Sequence, residues 1–205
     1  MIRRIALSLI FAVTLPAFAA RVGKPAPAFT GRDSHGHMHS LSEYRGKYVV
    51  LEWSNKDCPY TRAQYNSGNM QALQKEWTAK GVVWLTILSS APGLQGYMTA
   101  AEENAWIKNI HASPTAAILD PTGTIGLTYG AKTTPHMFII NPQGTLIYDG
   151  AIDDRPTTDP SVVHSSHNYV SAALSEAMAG KSVAKDYTRP YGCSVKYASE
   201  RSSLH

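Results

Sequence analysis

Cysteine is scarce in this sequence: Cys58 and Cys193 are the only two among 205 residues. A disulfide-dense scaffold is therefore excluded, and any internal bridge has a single connectivity. Charge is scarce as well, at 17% Asp, Glu, Lys and Arg with a formal net of +4. Leaving out residues 1–19, which hold Arg3 and Arg4, 17 basic side chains stand against 15 acidic ones, a net of only +2. With no clustered basic face, neither nucleic acid nor a polybasic membrane contact is expected as a partner. There is no phosphate loop and no Gly-x-Ser-x-Gly elbow, and the many Ser and His fall into no triad order. What remains is ordinary: 43% hydrophobic residues, 15 Gly and 12 Pro. That composition suits a folded chain and excludes a largely disordered or collagen-like one.

The one long apolar stretch runs from Ile5 to Leu15, behind Arg3 and Arg4 and ahead of Pro16 and the small-x-small run Ala17-Phe18-Ala19. This pattern predicts a cleavable secretory signal over residues 1–19, with the mature chain starting near Ala20. The stretch falls short of the ~20 residues of a spanning helix, and no later run replaces it. Export to the periplasm or outside the cell is the expected localisation, with no membrane span after signal removal. In such an oxidising compartment Cys58 and Cys193 are candidates for pairing.

Downstream, residues 23–42 are rich in Pro, Gly and His, with β-like pieces turning at His35-Gly36, and predict an N-terminal hairpin. Tyr48 to Trp53 and Val82 to Leu88 are compact apolar runs without polar alternation, as strands covered on both faces require. Between them a helix is expected from Pro59, interrupted at Ser67-Gly68 and resumed by Met70, Leu73 and Trp77 up to Gly81, as one kinked helix or two in series. Thr99 and Glu102 have the spacing of a capping box, opening a helix that ends before Pro114. Thr115 to Leu119 is a short strand. His136 to Ile140 and Thr145 to Tyr148 flank the turn Asn141-Pro142-Gln143-Gly144 as a hairpin. A last helix is expected from Pro160 to Gly180, and residues 181–205 read as an irregular tail carrying Cys193. The order predicts a single α/β domain over residues 20–180, an α/β/α sandwich around a mixed central sheet.

Cys58 falls at the C-terminal end of the first central strand and just before a helix opened by Pro59. Free backbone N–H groups and the helix dipole favour a thiolate there, lowering a thiol pKa from about 8.5 toward roughly 3.5–7.5. Lys56 and Arg62 would add positive potential, against Asp57.

The run Trp53-Ser54-Asn55-Lys56-Asp57-Cys58-Pro59-Tyr60-Thr61 resembles the redox loop of the thioredoxin superfamily. Cys-Pro-Tyr-Thr is similar to the Cys-Pro-Tyr-Cys of glutaredoxins with its second cysteine replaced. Val22 to Phe29 and Leu41 to Leu51 resemble the opening of alkyl hydroperoxide reductase/thiol-specific antioxidant proteins. Tyr129 to Gly144 looks like the segment in which that superfamily sets a cis-proline opposite the cysteine. The chain is thus similar to the peroxiredoxin-like (AhpC/TSA, redoxin) members of the thioredoxin fold over about residues 22–180. The resemblance implies that Cys58 is the attacking thiol and that the Thr134–Pro135 bond is cis; no cofactor is expected. Two departures stand out. Peroxidatic loops place a hydroxyl residue three before the sulfur, where this chain has Asn55, with Thr61 as a substitute polar contact. Thr61 also stands where a dithiol enzyme has its second cysteine, which leaves Cys193 as the intramolecular candidate for resolving.

The expectation is an exported thiol oxidoreductase acting on peroxide or on a protein or small-molecule disulfide, with an external thiol reductant. Cys58 attacks, Cys193 resolves, and Trp53, Asn55, Thr61, Arg62, Thr134 and Pro135 surround the substrate. One alternative is a non-catalytic binding module with a structural Cys58–Cys193 disulfide. Another is a copper- or zinc-handling protein using Cys58 with His136, or the alternating His35, His37 and His39. Trp77, Trp84 and Trp106 are expected to fill the core, while the acidic doublets Glu102-Glu103 and Asp153-Asp154 are expected to be solvated.

Overall fold

The computed structural model describes residues 20–198; the expected signal segment and the last seven residues lie outside them. In chain order the strands are β1 (Thr30–Asp33), β2 (Met38–Ser40), β3 (Val49–Trp53), β4 (Val83–Leu88), β5 (Ala116–Leu119), β6 (Thr133–Thr134), β7 (His136–Ile140), β8 (Leu146–Gly150) and β9 (Cys193–Ser194). The helices are α1 (Pro59–Asn66), α2 (Asn69–Ala79), α3 (Ala100–Asn109), α4 (Thr124–Tyr129), α5 (Pro160–Val163) and α6 (Tyr169–Met178).

Seven strands form one mixed sheet in the order β2-β1-β5-β4-β3-β7-β8. β3, β4 and β5 are mutually parallel, whereas β1, β7 and β8 run antiparallel to their neighbours. Alternation divides β3 between two cores. Val49, Leu51 and Trp53 join Leu85, Ile87, Phe138 and α4 on one face. Val50 faces Met70, Leu73 and Trp77 of α2 and Val170 and Leu174 of α6 on the other. Every residue of β3 and β4 is buried, as expected for a strand covered above and below. The α/β/α sandwich with an N-terminal hairpin extension is therefore the observed architecture.

Several local expectations change. Gly68 adopts a left-handed conformation, φ 79°, so of the two expected forms for the segment after Pro59 it is two helices in series, not one kinked helix, that forms. α4 was not expected; Gly123 and Gly130, both left-handed, open and close it. The predicted 160–180 helix is split, because Asn168 caps a fresh start by accepting from the Ser171 N–H. The Thr99–Glu102 capping box forms as predicted.

The acidic doublets are not both solvated. Glu103 is 1% exposed, turned inward from the first turn of α3, and Asp153 is 1% exposed. Asp153 is held by the Gln64 amide at 2.7 Å, the Tyr191 hydroxyl at 2.6 Å and the Arg155 N–H at 3.0 Å. Trp77 and Trp84 fill the core, while Trp106 is only half-buried beside Leu88 and Met98.

Candidate functional site

Register explains how the site is assembled. The last residue of β3, Trp53, pairs with the first residue of β7, His136. The loop leaving β3 and the bond entering β7 therefore meet at one end of the sheet. Cys58 follows β3 as the N-cap of α1, with Pro59 in the first turn. Thr134–Pro135, a cis peptide bond, precedes β7. Across that gap the Cys58 thiol donates to the Thr134 carbonyl at 2.9 Å.

A second strand completes the site. β9 pairs antiparallel with β6, setting Cys193 opposite Thr134 and Ser194 opposite Thr133. The stretch that the sequence presents as an irregular tail thus crosses the end of the sheet and brings the second sulfur to the first. Both cysteines are free thiols in this structure. Cys58 is fully buried and Cys193 partly so.

The two sulfurs differ in acidity. Burial raises the Cys58 pKa, yet the Cys193 thiol and the Thr61 amide, followed by Thr134 and the Cys193 amide, favour negative sulfur and hold it below the ordinary thiol value. Cys193 is pushed up to about 12, by burial first and then by donating to, and lying beside, the charge on Cys58. The arrangement is a thiol of lowered pKa beside one of raised pKa, so Cys58 is the sulfur that ionises first. When Cys58 becomes bonded to another atom its charge is gone, and the two Cys58 contributions that raise Cys193 go with it.

The loop before Cys58 is tied down by its own side chains. Asn55 accepts from the Asp57 N–H at 2.9 Å and donates to the Gln95 carbonyl at 3.2 Å. Its carbonyl accepts from the Cys58 N–H at 3.1 Å. Lys56 is paired with Asp57 at 2.8 Å, so its charge is answered locally, and Asp57 also accepts from the Gly96 N–H at 3.1 Å. Arg62 is exposed on α1.

Of the residues expected around a substrate, the structure gathers Thr61, Thr134 and Pro135 with both cysteines. Thr61 is fully buried and its hydroxyl has no hydrogen-bond partner. Asn55 shapes the loop from beneath. Trp53 is a core residue with no exposed surface, its ring against Tyr129 and Phe138 and its N–H donating to Ser89 at 3.0 Å.

The histidines are otherwise engaged. His136 accepts from the Lys132 N–H at 3.1 Å and meets Asp149 at 2.8 Å, so both ring nitrogens are occupied away from the sulfur. His35 and His37 lie in the turn ahead of β2, and only His39 lies on a strand; the shared face expected for the three does not form. They gather instead around Asp33, which accepts from the His35 and His37 amides and meets the His39 ring at 2.9 Å. Among the described residues no group of three or more His, Cys, Asp or Glu is placed to hold a metal ion. No described helix is long and apolar enough to cross a membrane.

Sequence reasoning missed the residues that seat the tail. Tyr191 donates to Asp153, and Gln64 of α1 donates to both Asp153 and Tyr191, at 2.7 and 3.3 Å. Thr188 meets the Tyr148 hydroxyl at 2.7 Å and accepts from the Ala151 N–H at 2.9 Å. Their partners are 37 to 127 positions away in the chain, and no periodic signal reports such a distance.

The architecture is shared with solved structures. A hypothetical protein of Sinorhizobium meliloti superposes with a TM-score of 0.72 at 21% identity, over 88% of this chain and 97% of that one. An uncharacterized conserved protein of Geobacillus kaustophilus gives 0.72 at 21%, over 86% and 92%. A Chlorobium tepidum protein described as a thiol:disulfide interchange protein, DsbE, gives 0.53 at 22%, over 64% and 85%. The model of the AhpC/TSA family matches residues 22–149, a span that includes the β3–Cys58–α1 unit and the Thr134–Pro135 bond. With its cysteine at the end of β3 facing a cis-proline at the start of β7, this chain belongs to the AhpC/TSA family, a peroxiredoxin-like branch of the thioredoxin fold.

Proposed function

We propose that the protein is an exported two-cysteine thiol oxidoreductase whose working cycle ends in a Cys58–Cys193 disulfide. The observation that carries this is the β6–β9 pairing, which holds Cys193 directly opposite Thr134, the residue whose carbonyl the Cys58 thiol reaches. A buried thiol of lowered pKa at a helix start, with a second thiol against it, is arranged for ionisation and nucleophilic attack followed by capture.

With a disulfide R–S–S–R as oxidant, the Cys58 thiolate attacks one sulfur and expels RS⁻, forming a mixed disulfide. Cys193 gives its proton to a leaving thiolate, attacks the Cys58 sulfur and expels the second RS⁻. The substrate gains two electrons and leaves as one thiol and one thiolate, the latter taking its proton from solvent; the pair loses two electrons and is bridged. An external dithiol returns it to the reduced form. The acidity pattern orders these steps, because the charge that suppresses Cys193 is discharged only once Cys58 has reacted.

Disulfide is the favoured oxidant because the position that bears a peroxide-orienting hydroxyl in peroxidatic loops holds Asn55, whose amide is committed to Asp57 and Gln95. The unpartnered Thr61 hydroxyl supports a second reading, in which a peroxide is the electrophile. Cys58 then becomes a sulfenic acid, the peroxide leaves as alcohol or water, and Cys193 condenses with the sulfenic acid to release water.

Mass spectrometry of non-reduced tryptic peptides, before and after one equivalent of oxidised glutathione or of hydrogen peroxide, tests both readings. The expected product is a peptide pair joined through Cys58 and Cys193. In Cys193→Ser the adduct is expected to stop at a Cys58 mixed disulfide or sulfenic acid. A Cys58 left unmodified by both oxidants would refute the proposal.

A further inference from the structure

The proposed chemistry requires an electrophile to touch Cys58, yet that residue has no exposed surface. What lies over it is the C-terminal stretch, and that stretch is held unevenly. At one end Thr188 is pinned to the end of β8, through its side-chain bonds and through its N–H to the Asp149 carbonyl at 3.1 Å. At the other end Val195 is 3% exposed, its N–H bonded to the Lys132 carbonyl at 3.1 Å. There too the Ala91 N–H reaches the Lys196 carbonyl at 2.8 Å, and the Tyr197 hydroxyl reaches the Ala131 carbonyl at 2.8 Å.

Between these pins, residues 189–194 are attached at a few points only. They have the two-residue β6–β9 pairing, the Tyr191 hydroxyl with Asp153 and Gln64, an edge contact of the Tyr191 and Tyr60 rings at 5.8 Å, and the packing of Tyr191 on the core beneath α2 and α6. Gly192 makes the close approach possible: its φ is 131°, and a Cβ there would overlap the Thr134 carbonyl oxygen. Segments with few contacts open locally at a lower free energy than the fold as a whole.

We propose that residues 189–194 form a bridge over Cys58 that lifts between its two pinned ends before any electrophile reaches the sulfur, with Tyr191 and Gly192 as its clasp. Lifting admits the substrate, and reseating returns Cys193 to the sulfur that has just reacted. One movement therefore controls both entry and resolution, and free Cys58 is shielded from indiscriminate oxidation between turnovers. This rests on the reading of Cys58 as a reactive thiolate. Tyr191 and Gly192 are positioning residues, since they act through the seating of Cys193.

The test is brief alkylation of the reduced chain with iodoacetamide, read on the Cys58 peptide and divided by the thiolate fraction measured from ultraviolet absorbance. Tyr191→Phe removes the clasp bond to a carboxylate, and Gly192→Ala drives the bridge off Thr134. Tyr191→Phe is expected to raise the corrected rate by about tenfold or more, the scale of one hydrogen bond to a carboxylate, and Gly192→Ala to raise it as well. In the parent chain, amide exchange at Cys193 and Ser194 is expected to be faster than at Val50 and Leu85 in the central strands. Equal corrected rates in the parent and Tyr191→Phe would overturn the bridge, even where Gly192→Ala fails to fold. A Cys58 that ionises as an ordinary thiol in the parent would instead refute the reactive-thiolate reading, whatever the labelling shows.

Discussion

Glu103 offers a test of how this fold stores charge. It projects from the first turn of α3 into the protein, 1% exposed, and one carboxyl oxygen has no hydrogen-bond partner. Desolvation, with a smaller push from the neighbouring Glu52, raises its pKa from 4.5 to about 8. An acid whose pKa is raised by folding binds its proton more tightly folded than unfolded, so the stability it confers is complete below pH 4.5. That stability is lost progressively as the pH rises toward 8. With the two pKa values given, the loss is about 1 kcal/mol at pH 5 and about 4–5 kcal/mol at pH 8.5, at 1.36 kcal/mol per pKa unit.

Glu103→Gln keeps the shape and removes the titration. Its stability minus that of the parent, from urea unfolding under reducing conditions, is expected to rise by roughly 3–4 kcal/mol between pH 5 and pH 8.5. The comparison cancels groups that titrate alike in both chains. A difference constant within about 0.5 kcal/mol across that range, smaller than a single pKa unit, would refute the assignment of Glu103 as a buried acid that stays protonated at neutral pH.

Other outcomes follow from the same geometry. Because the Cys58 pKa is depressed, its alkylation rate is expected to be constant at high pH and to fall as the pH drops through a midpoint below about 8.5; a midpoint above that would remove the hydrogen-bond account of the thiolate. The Cys58–Cys193 couple, equilibrated with dithiothreitol buffers, is expected to have a reduction potential above about −300 mV, whereas a lower value would mark a structural staple. Bridging positions 58 and 193 closes a long loop, so the oxidised chain is expected to gain at most about 5 kcal/mol against urea in the chain-entropy limit, and a loss would show that the bridge strains the fold. Gly31→Ala would drive a methyl into Ile118 and Ile125 beneath β1, an expected cost of about 1–3 kcal/mol by thermal unfolding.

Much of the architecture was legible because it rests on short-range rules. The unbroken apolar runs at 48–53 and 82–88 marked the two central strands, and Thr99 with Glu102 announced a capping box that forms as written. Position, more than composition, marked Cys58: a thiol between a buried strand and a helix opened by proline. α4 escaped notice because six residues are too few to show a period, and its limits are set by the backbone freedom of two glycines. The break at 164–168 escaped because Val163 and Val170 fit one apolar stripe whether or not the helix is continuous.

The acidic doublets show where such rules stop. Glu102 and Glu103 are adjacent and chemically identical, yet Glu102 closes the cap from solvent while Glu103, 100° around the helix, points inward. Asp153 and Asp154 divide in the same way, Asp153 taking three donors in the interior and Asp154 accepting from the His167 N–H on the exposed side. Burying a carboxylate is unfavourable unless donors meet it or a proton neutralises it. Asp153 is met by donors, whereas Glu103 lacks one and has its pKa raised to about 8. The donors to Asp153 include Tyr191, two residues before Cys193, so the same buried side chain that local patterning misassigns is the one that fastens the second cysteine over the first.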